Sequence, residues 1–165
     1  MIPLTTFKQL FDYNYWTRDR QLEACAPLAP ELFTRAVGGS FPSLRDTLAH
    51  LMLVEWIWHE RWCGRSPRTF PAYAEFPSPE ALGRRWSEIE RDVRGFVAGL
   101  ADDALARPVT YSNLKGETWT YPLWRLLYHL LNHQSYHRGQ VTSQLRQLGA
   151  TPAPVDFLLY LDARK

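Results

Sequence analysis

The chain has 165 residues, 45% of them hydrophobic, and its 19 basic and 17 acidic side chains give a net charge of +2. A chain of this length typically forms one domain, so we expect a single domain over residues 1–165. The near-neutral charge, with no block of like charges, argues against a nucleic-acid-binding protein, and the short hydrophobic runs argue against a membrane-spanning helix.

The amino terminus passes from Met1-Ile2-Pro3-Leu4 directly into an amphipathic pattern. It has no charged start, apolar stretch and small-residue cleavage site of the kind that marks a secretory signal, so we expect a cytoplasmic protein. Cys25 and Cys63 lie far apart and form no Cys-x-x-Cys pair. This spacing predicts two buried free thiols rather than a zinc knuckle or a redox site.

The hydrophobic periodicity predicts four amphipathic helices in chain order. The first spans residues 4–26. The second begins near Ser43, where Ser43-x-x-Asp46 resembles a capping arrangement, and runs to about Cys63. Residues 64–78 contain three prolines and are predicted to form a long crossover on the surface.

The third helix is predicted to begin near Pro79, because proline is favoured in a first helical turn. It places six apolar side chains inward: Leu82, Trp86, Ile89, Val93, Phe96 and Leu100. Residues 107–120 are typical of a small β-hairpin. The fourth helix is predicted to start at residues 120–122 and to end before Gly149, and the tail 151–165 is expected to fold back onto the helices. Together these elements predict an all-α four-helix bundle.

The histidines are confined to the second and fourth predicted helices: His50 and His59 on one, and His129, His133 and His137 on the other. Steps of four residues put neighbouring imidazoles on one face of the fourth helix, as in helical zinc sites. His133 and His137 fall within its apolar stripe, and His129 falls on the edge. Because His129 and His137 are about 12 Å apart along the helix, one ion is not expected to take all three. We therefore select His133 and His137 as ligands.

A third ligand is expected from the second helix, where His50 and His59 point in opposite directions. His50 borders the leucine side of the helix and His59 lies in more polar surroundings, so we select His50. A lone inward histidine is typically a hydrogen-bonded core residue. Two buried imidazoles one turn apart would each lose solvation, which a shared metal offsets. Spacing alone leaves the metal site and the core histidines as alternatives.

Five further side chains are candidates for the surroundings of the site: Asn14, Glu55, His129, Tyr136 and Gln140. Asn14 either faces the metal pocket or is a hydrogen-bonded asparagine of the bundle. Glu55 needs a partner, either a histidine beside the metal or, as we expect, an arginine in an ion pair. His129 is expected beside the ligands or at a dimer contact, and Gln140 could hold a ligand or a water. Gly139, inside the helix, predicts the close approach of another helix.

Three segments are similar to the DinB-like (YfiT-like) superfamily of bacterial four-helix proteins: DYNYW at 12–16, SFPSLRDTLAH at 40–50 and NHQSYHRGQ at 132–140. The resemblance covers nearly the whole chain and points to the subgroup named for its inducibility by DNA damage. It implies a divalent metal held by one histidine of the second helix and a His-x-x-x-His pair of the fourth, which here are His50, His133 and His137. It also implies a homodimer.

The resemblance does not determine the reaction, because relatives range from uncharacterised proteins to thiol-dependent S-transferases and a maleylpyruvate isomerase. Three imidazoles leave a zinc, nickel or iron ion with an open position, which is typical of a catalytic site. The leading hypothesis is a metal-dependent transferase that conjugates a low-molecular-weight thiol to small electrophiles. The alternatives are a metallohydrolase and a non-catalytic dimeric stress or binding protein.

Overall fold

The computed structural model describes residues 2–165, which form six α-helices, two 3₁₀ turns and one two-stranded sheet. The elements are α1 (Leu4–Cys25), α2 (Pro30–Thr34), α3 (Leu44–Trp62), a 3₁₀ turn (Tyr73–Glu75), α4 (Pro79–Ala98), a 3₁₀ turn (Asp102–Ala106), β1 (Pro108–Ser112), β2 (Thr118–Pro122), α5 (Leu123–Gln147) and α6 (Phe157–Asp162). The long helices α1, α3, α4 and α5 form the predicted four-helix bundle. No helix of residues 2–165 has the length and apolar character that crossing a membrane requires.

The ends of α3 follow the local sequence rules. Ser43 is the N-cap: its Oγ accepts a hydrogen bond from the Asp46 backbone N–H at 3.2 Å and donates one to the Asp46 carboxylate at 2.8 Å. Gly64 follows the end of α3 with φ +80°, and Gly149 follows the end of α5 with φ +79°. This left-handed backbone is easily adopted by glycine, so both predicted helix ends are confirmed.

The start of α5 differs from the prediction. Residues 120–122 were expected to begin the helix, but they belong to β2, which pairs antiparallel with β1 so that Thr110 lies opposite Thr120. The alternation of threonine and aromatic residues in Thr118–Pro122 is typical of a strand. The hydrogen bonds between β1 and β2 satisfy the backbone N–H and C=O groups that would otherwise be paired within a helix. The hairpin itself is confirmed, and α5 begins directly after it at Leu123.

The core lies between the four long helices, and α3 is its most buried element. Helix α3 packs against α4 and α5, and α1 packs against the same two helices. Four of the six side chains predicted inward on the third helix are buried, whereas Phe96 and Leu100 are half-buried at the edge of the core. Near the end of α4 the buried position is taken by Val97 instead.

The carboxyl-terminal tail folds back onto α1, as predicted. The Tyr13 hydroxyl donates a hydrogen bond to the Val155 carbonyl at 2.6 Å, and its ring meets the Phe157 ring edge-on at 5.1 Å. Tyr160 of α6 is buried in the same contact. These aromatic contacts anchor a short helix that would be unstable alone.

The prediction of two buried thiols is correct for Cys25 and wrong for Cys63. Cys25 is buried in the core, and burial raises the pKa of its thiol to about 12. Cys63 is exposed because it is the C-cap, directly after the last residue of α3, and its Sγ is 3.6 Å from Nε2 of His59.

Candidate metal centre

Three histidines meet where α3 packs against α5. His50 lies in the first half of α3, and His133 and His137 lie one turn apart on α5. One nitrogen from each imidazole comes within 4.8 Å of the other two, and the Nε2 atoms of His50 and His133 are 3.2 Å apart. Within residues 2–165, no other group of three His, Cys, Asp or Glu side chains is arranged in this way. The three residues could therefore form a metal site, and we call them the histidine trio.

Hydrogen bonds indicate which nitrogen is free in two of the three rings, whereas Nδ1 of His133 is buried without a partner. Nδ1 of His137 lies 2.7 Å from Oε1 of Gln140, whose amide nitrogen donates to Ser40 Oγ at 2.9 Å. The amide oxygen can only accept, so Nδ1 of His137 carries a proton, and Nε2 is the nitrogen that can bind a metal. Nδ1 of His50 is similarly engaged, at 3.3 Å from the Tyr73 hydroxyl. Partners on Nδ1 leave the Nε2 atoms for one another or for an ion.

The spacing of the trio fits a single ion. Two nitrogens bound to one metal at about 2.0–2.1 Å are about 2.8–3.0 Å apart in octahedral geometry and about 3.3–3.4 Å apart in tetrahedral geometry. The observed separation between Nε2 of His50 and Nε2 of His133 is 3.2 Å. Neutral imidazoles that turn lone pairs toward one point repel each other, and a cation at that point removes the repulsion.

Two members of the trio, His50 and His133, are neutral at physiological pH. Burial, followed by the positive charge of His137, lowers the pKa of His50 to about 4. Burial and the charges of His137, His50 and His129 lower the pKa of His133 to about 3. Because these imidazoles are unprotonated near pH 7, their lone pairs are available to a metal without proton loss.

Aromatic and small residues surround the trio. The Phe41 ring lies 4.3 Å from the His50 ring and 5.5 Å from the His137 ring, so it covers one side of the site. Tyr136 is 66% exposed, and its ring meets that of His137 edge-on at 5.0 Å. Tyr136 and Gln140 line a cavity of about 430 Å³ beside the trio.

Gly139 lines the same cavity, and the close helix approach predicted for it is wrong. A Cβ built there would meet nothing within 4 Å, outside α5 itself. The position faces open space between α5 and the segment 37–40. Packing therefore does not require a glycine at this position of α5. The missing side chain leaves the cavity beside the trio wider.

Asn14 and Glu55 belong to a different cluster, in the core between α1, α3 and α4. The Glu55 carboxylate accepts hydrogen bonds from Tyr15 Oη at 2.7 Å, Trp86 Nε1 at 3.1 Å and Asn14 Nδ2 at 3.4 Å. The predicted ion pair of Glu55 is therefore wrong, because three neutral donors take the place of a cation. Asn14 finds its expected hydrogen-bond partner in this carboxylate rather than in the trio.

The two remaining histidines lie outside the trio. His129 is exposed, and its ring is 6.2 Å from that of His133 and 5.0 Å from that of Trp58. His59 is half-buried near the end of α3, beside Cys63.

Sequence reasoning did not find Phe41, Ser40 and Tyr73, which contact the trio or its partner Gln140. All three lie in connections without helical periodicity, so their positions depend on how those connections pack. Tyr73 lies in the crossover predicted as irregular surface, where a 3₁₀ turn packs against α3.

The fold and the trio together define a class: a four-helix-bundle protein with a candidate three-histidine metal centre between two of its helices. The sequence model of the DinB family matches residues 2–165. The chain therefore belongs to the DinB family.

Two relatives are similar to the chain in sequence, and two solved structures have a similar fold. The chain is 28% identical over 158 residues to Protein DinB of Bacillus subtilis strain 168, covering 93% of this chain and 92% of that protein. It is 23% identical over 153 residues to the uncharacterized protein YizA of the same strain, covering 91% and 92%. A DinB-like protein from Bacillus cereus ATCC 10987 has the same fold, with a TM-score of 0.73 at 19% identity over 91% of this chain and 95% of the other. A second DinB-like protein, from Bacillus subtilis, has a TM-score of 0.63 at 14% identity over 88% and 95%.

Proposed function

We propose that the chain binds one divalent transition-metal ion through His50, His133 and His137, and that it transfers a low-molecular-weight thiol to small electrophiles. The observation that carries this proposal is the convergence of three imidazoles with no acidic or thiol side chain among them. Zinc, nickel and iron all accept imidazole ligands. An ion of this kind supplies positive charge that lowers the pKa of a thiol or water beside it.

The composition of the trio favours an anionic ligand. Three neutral imidazoles leave the double charge of a divalent ion uncompensated, whereas a carboxylate ligand would cancel part of it. Three protein ligands also leave a position open, as catalytic zinc sites do. A thiolate suits both features, because it is a soft anion and a strong nucleophile.

The chain's own residues prepare the site in three ways. Gln140 holds the proton on Nδ1 of His137 and so directs Nε2 toward the centre. Tyr73 engages Nδ1 of His50. Phe41 covers the rings of His50 and His137 and reduces the access of water on that side.

The absence of an acidic side chain in the trio also bears on the choice between thiol transfer and hydrolysis. Attack by water is usually assisted by a general base, whereas a thiolate attacks without one. No Asp or Glu joins the three histidines in the part of the chain that the structure describes. This favours thiol transfer over the metallohydrolase alternative.

The reaction is tested by incubating zinc-, nickel- or iron-loaded protein with a panel of small thiols and a chromogenic electrophile such as 1-chloro-2,4-dinitrobenzene. We expect adduct formation above the uncatalysed rate, lost with a chelator and in His133→Ala, and retained in His59→Ala. Metal-dependent cleavage of an ester panel without thiol transfer would support the hydrolase instead. If the fully loaded protein shows neither activity, the result would support the alternative of a non-catalytic binding protein.

A further inference from the structure

A second cavity lies where α3, the β-hairpin and α5 meet. Its volume is about 310 Å³, which is enough for a small molecule, and its lining residues are Trp58, Tyr111, Tyr121, Arg125, Leu126 and His129. His129 also packs against His133, with the two ring centres 6.2 Å apart. The cavity therefore borders the histidine trio.

Rings form most of the cavity wall, and they stand at steep angles to one another. The Trp58 ring centre lies 5.0 Å from that of Tyr111 and 5.0 Å from that of His129, with interplanar angles of 71° and 66°. Tyr121 adds a fourth ring from β2. Aromatic groups prefer edge-to-face and offset contacts with one another. Walls of this kind favour a ligand that is itself a flat ring.

The fixed charges at the cavity are positive. Arg125 lines it and takes part in none of the ion pairs of residues 2–165, and no acidic side chain belongs to the lining. Arg61 lies behind the wall, with its guanidinium carbon 4.6 Å from the centre of the Trp58 ring and 4.8 Å from that of Tyr111. Aromatic walls otherwise attract cations. Here the two arginines repel them, so the ligand carries no positive charge.

The cavity on the other side of the trio has a different lining. It is the cavity of about 430 Å³ beside Gln140, and glycine, serine and glutamine form most of its wall. Along α5, the aromatic cavity takes residues 125–129 and the polar cavity takes residues 136–147, so His133 lies between them. A reaction that joins a polar molecule to an apolar one needs both held close to the same centre.

We infer that the cavity between α3, the hairpin and α5 binds a flat aromatic molecule without positive charge, held among the four rings of its lining. Within the function proposed above, this molecule is the electrophile, and the thiol takes the polar cavity on the other side of the trio. The role as electrophile rests on that function, whereas the binding of the aromatic molecule does not.

Binding is measured on the full chain as purified, by ligand-observed NMR titration with three probes. Benzamide is flat and uncharged, cyclohexanecarboxamide is similar in size but not flat, and benzamidine is flat and positively charged. None of them carries a thiol or a leaving group, so the result does not depend on turnover. We expect benzamide to bind about threefold or more tightly than either of the other two, because it alone combines ring contacts with the absence of a positive charge.

Two variants remove rings from the cavity wall, Tyr121→Leu and His129→Leu. Tyr121 is half-buried and His129 is exposed, so both variants should fold. We expect the preference for benzamide over cyclohexanecarboxamide to fall in each of them. Tyr128→Leu is the matched control, because Tyr128 is exposed on the same helix as His129 and lies outside the lining. This control should keep the wild-type preference.

Equal binding of benzamide and cyclohexanecarboxamide to the wild-type chain would overturn the inference, as would a preference that persists in both ring variants. Tighter binding of benzamidine than of benzamide would also overturn it, because the cavity would then accept a cation. Failure of thiol transfer with intact binding of benzamide would contradict the proposed reaction alone. Thiol transfer by a chain that shows no preference for benzamide would contradict this inference alone.

Discussion

At the scale of single residues, the site depends on side chains that do not touch the centre themselves. Gln140 joins His137 to Ser40 through both ends of its amide, so it sets the tautomer and the orientation of the imidazole. Side chains that form hydrogen bonds to a metal ligand commonly change the affinity of the site for its metal.

Replacing Gln140 by leucine removes this hydrogen bond while keeping the side-chain size. We predict that the affinity for zinc falls about 10–100-fold, because His137 loses the acceptor that keeps Nδ1 protonated. Competition with a chromophoric chelator measures the affinity. Gln147→Leu, on the same helix near the same cavity but without contact to a histidine, serves as the control, and equal affinities of the two variants would contradict the role of Gln140.

Glu55 allows a prediction about pH. Burial raises the pKa of this carboxyl group above its ordinary value, against the opposing hydrogen bonds of Tyr15 and Trp86. A raised pKa in the folded state means that the folded chain holds the proton more tightly than the unfolded chain. The contribution of Glu55 to stability is therefore fully present below its unfolded pKa and is lost as the pH rises through the folded value.

Glu55→Gln removes this dependence and keeps the hydrogen bonds, since an amide can accept from Trp86 and Asn14 and donate to Tyr15. We predict that the variant gains stability relative to the wild-type chain as the pH rises from 4 to 7, with a slope of at most about 1.4 kcal/mol per pH unit. Urea denaturation at several pH values measures the difference. Glu88→Gln, on exposed surface, should show no such slope. If the stability of Glu55→Gln changes with pH in the same way as that of the wild-type chain, the prediction is refuted.

At the scale of elements, α3 and α5 form the frame of the centre, and His50 lies about two turns after the N-cap of α3. Ser43 is buried and bonds to both the backbone and the carboxylate of Asp46 at the first turn. An N-cap of this kind satisfies a backbone donor that the helix leaves free.

Ser43→Ala removes the cap, so we predict a loss of about 1–2 kcal/mol in the free energy of unfolding. Thermal or urea unfolding of metal-free protein measures it. The comparison variant is Ser87→Ala, an exposed mid-helix serine that bonds only to the Gly83 carbonyl of its own helix. That change should fall within about 0.5 kcal/mol of the wild-type value, and a similarly small effect of Ser43→Ala would count against the cap.

The helices and the trio were predictable because both rest on local periodicity. The four-residue step of His133 and His137 needs no knowledge of the fold, and neither does the distance along the helix that set His129 aside or the opposite direction that set His59 aside. The structure brings neither of these two histidines into the trio. The start of α5 was not predictable in this way, because Thr118–Pro122 becomes a strand only by pairing with Pro108–Ser112.

Contacts made by the connections were also beyond local reasoning. The position of Tyr73 at His50 depends on how the crossover packs against α3, and the donors to Glu55 come from α1 and α4. These are contacts between residues distant in the chain. Periodicity identifies which side of a helix is buried and leaves the identity of the neighbour open.

At the scale of the whole molecule, we expect two chains to associate, as the resemblance to the family implies. Large side chains are exposed on α5 and α6: Tyr128 at 50%, Tyr136 at 66% and Leu158 at 70%. Sedimentation equilibrium should give twice the chain mass of 19.2 kDa, and a monomer at micromolar concentration would contradict the expectation.

Metal binding should also stabilise the whole fold, because the trio joins α3 to α5 and an ion bound only by the folded chain shifts the equilibrium toward it. At a free zinc concentration 100 times the dissociation constant, we predict a gain of about 2.7 kcal/mol. The gain should be absent in His133→Ala and retained in His59→Ala. Equal unfolding curves with zinc and with chelator would show that the ion does not join the two helices.

The central claim is that His50, His133 and His137 bind one metal ion, and elemental analysis of untagged protein tests it most directly. The wild-type chain and His59→Ala should each hold about one transition-metal ion, as purified or after reconstitution with zinc, nickel or iron. The His50→Ala, His133→Ala and His137→Ala variants should hold none after the same treatment. A wild-type chain that stays metal-free after reconstitution, or trio variants that keep a full complement of metal, would contradict the account.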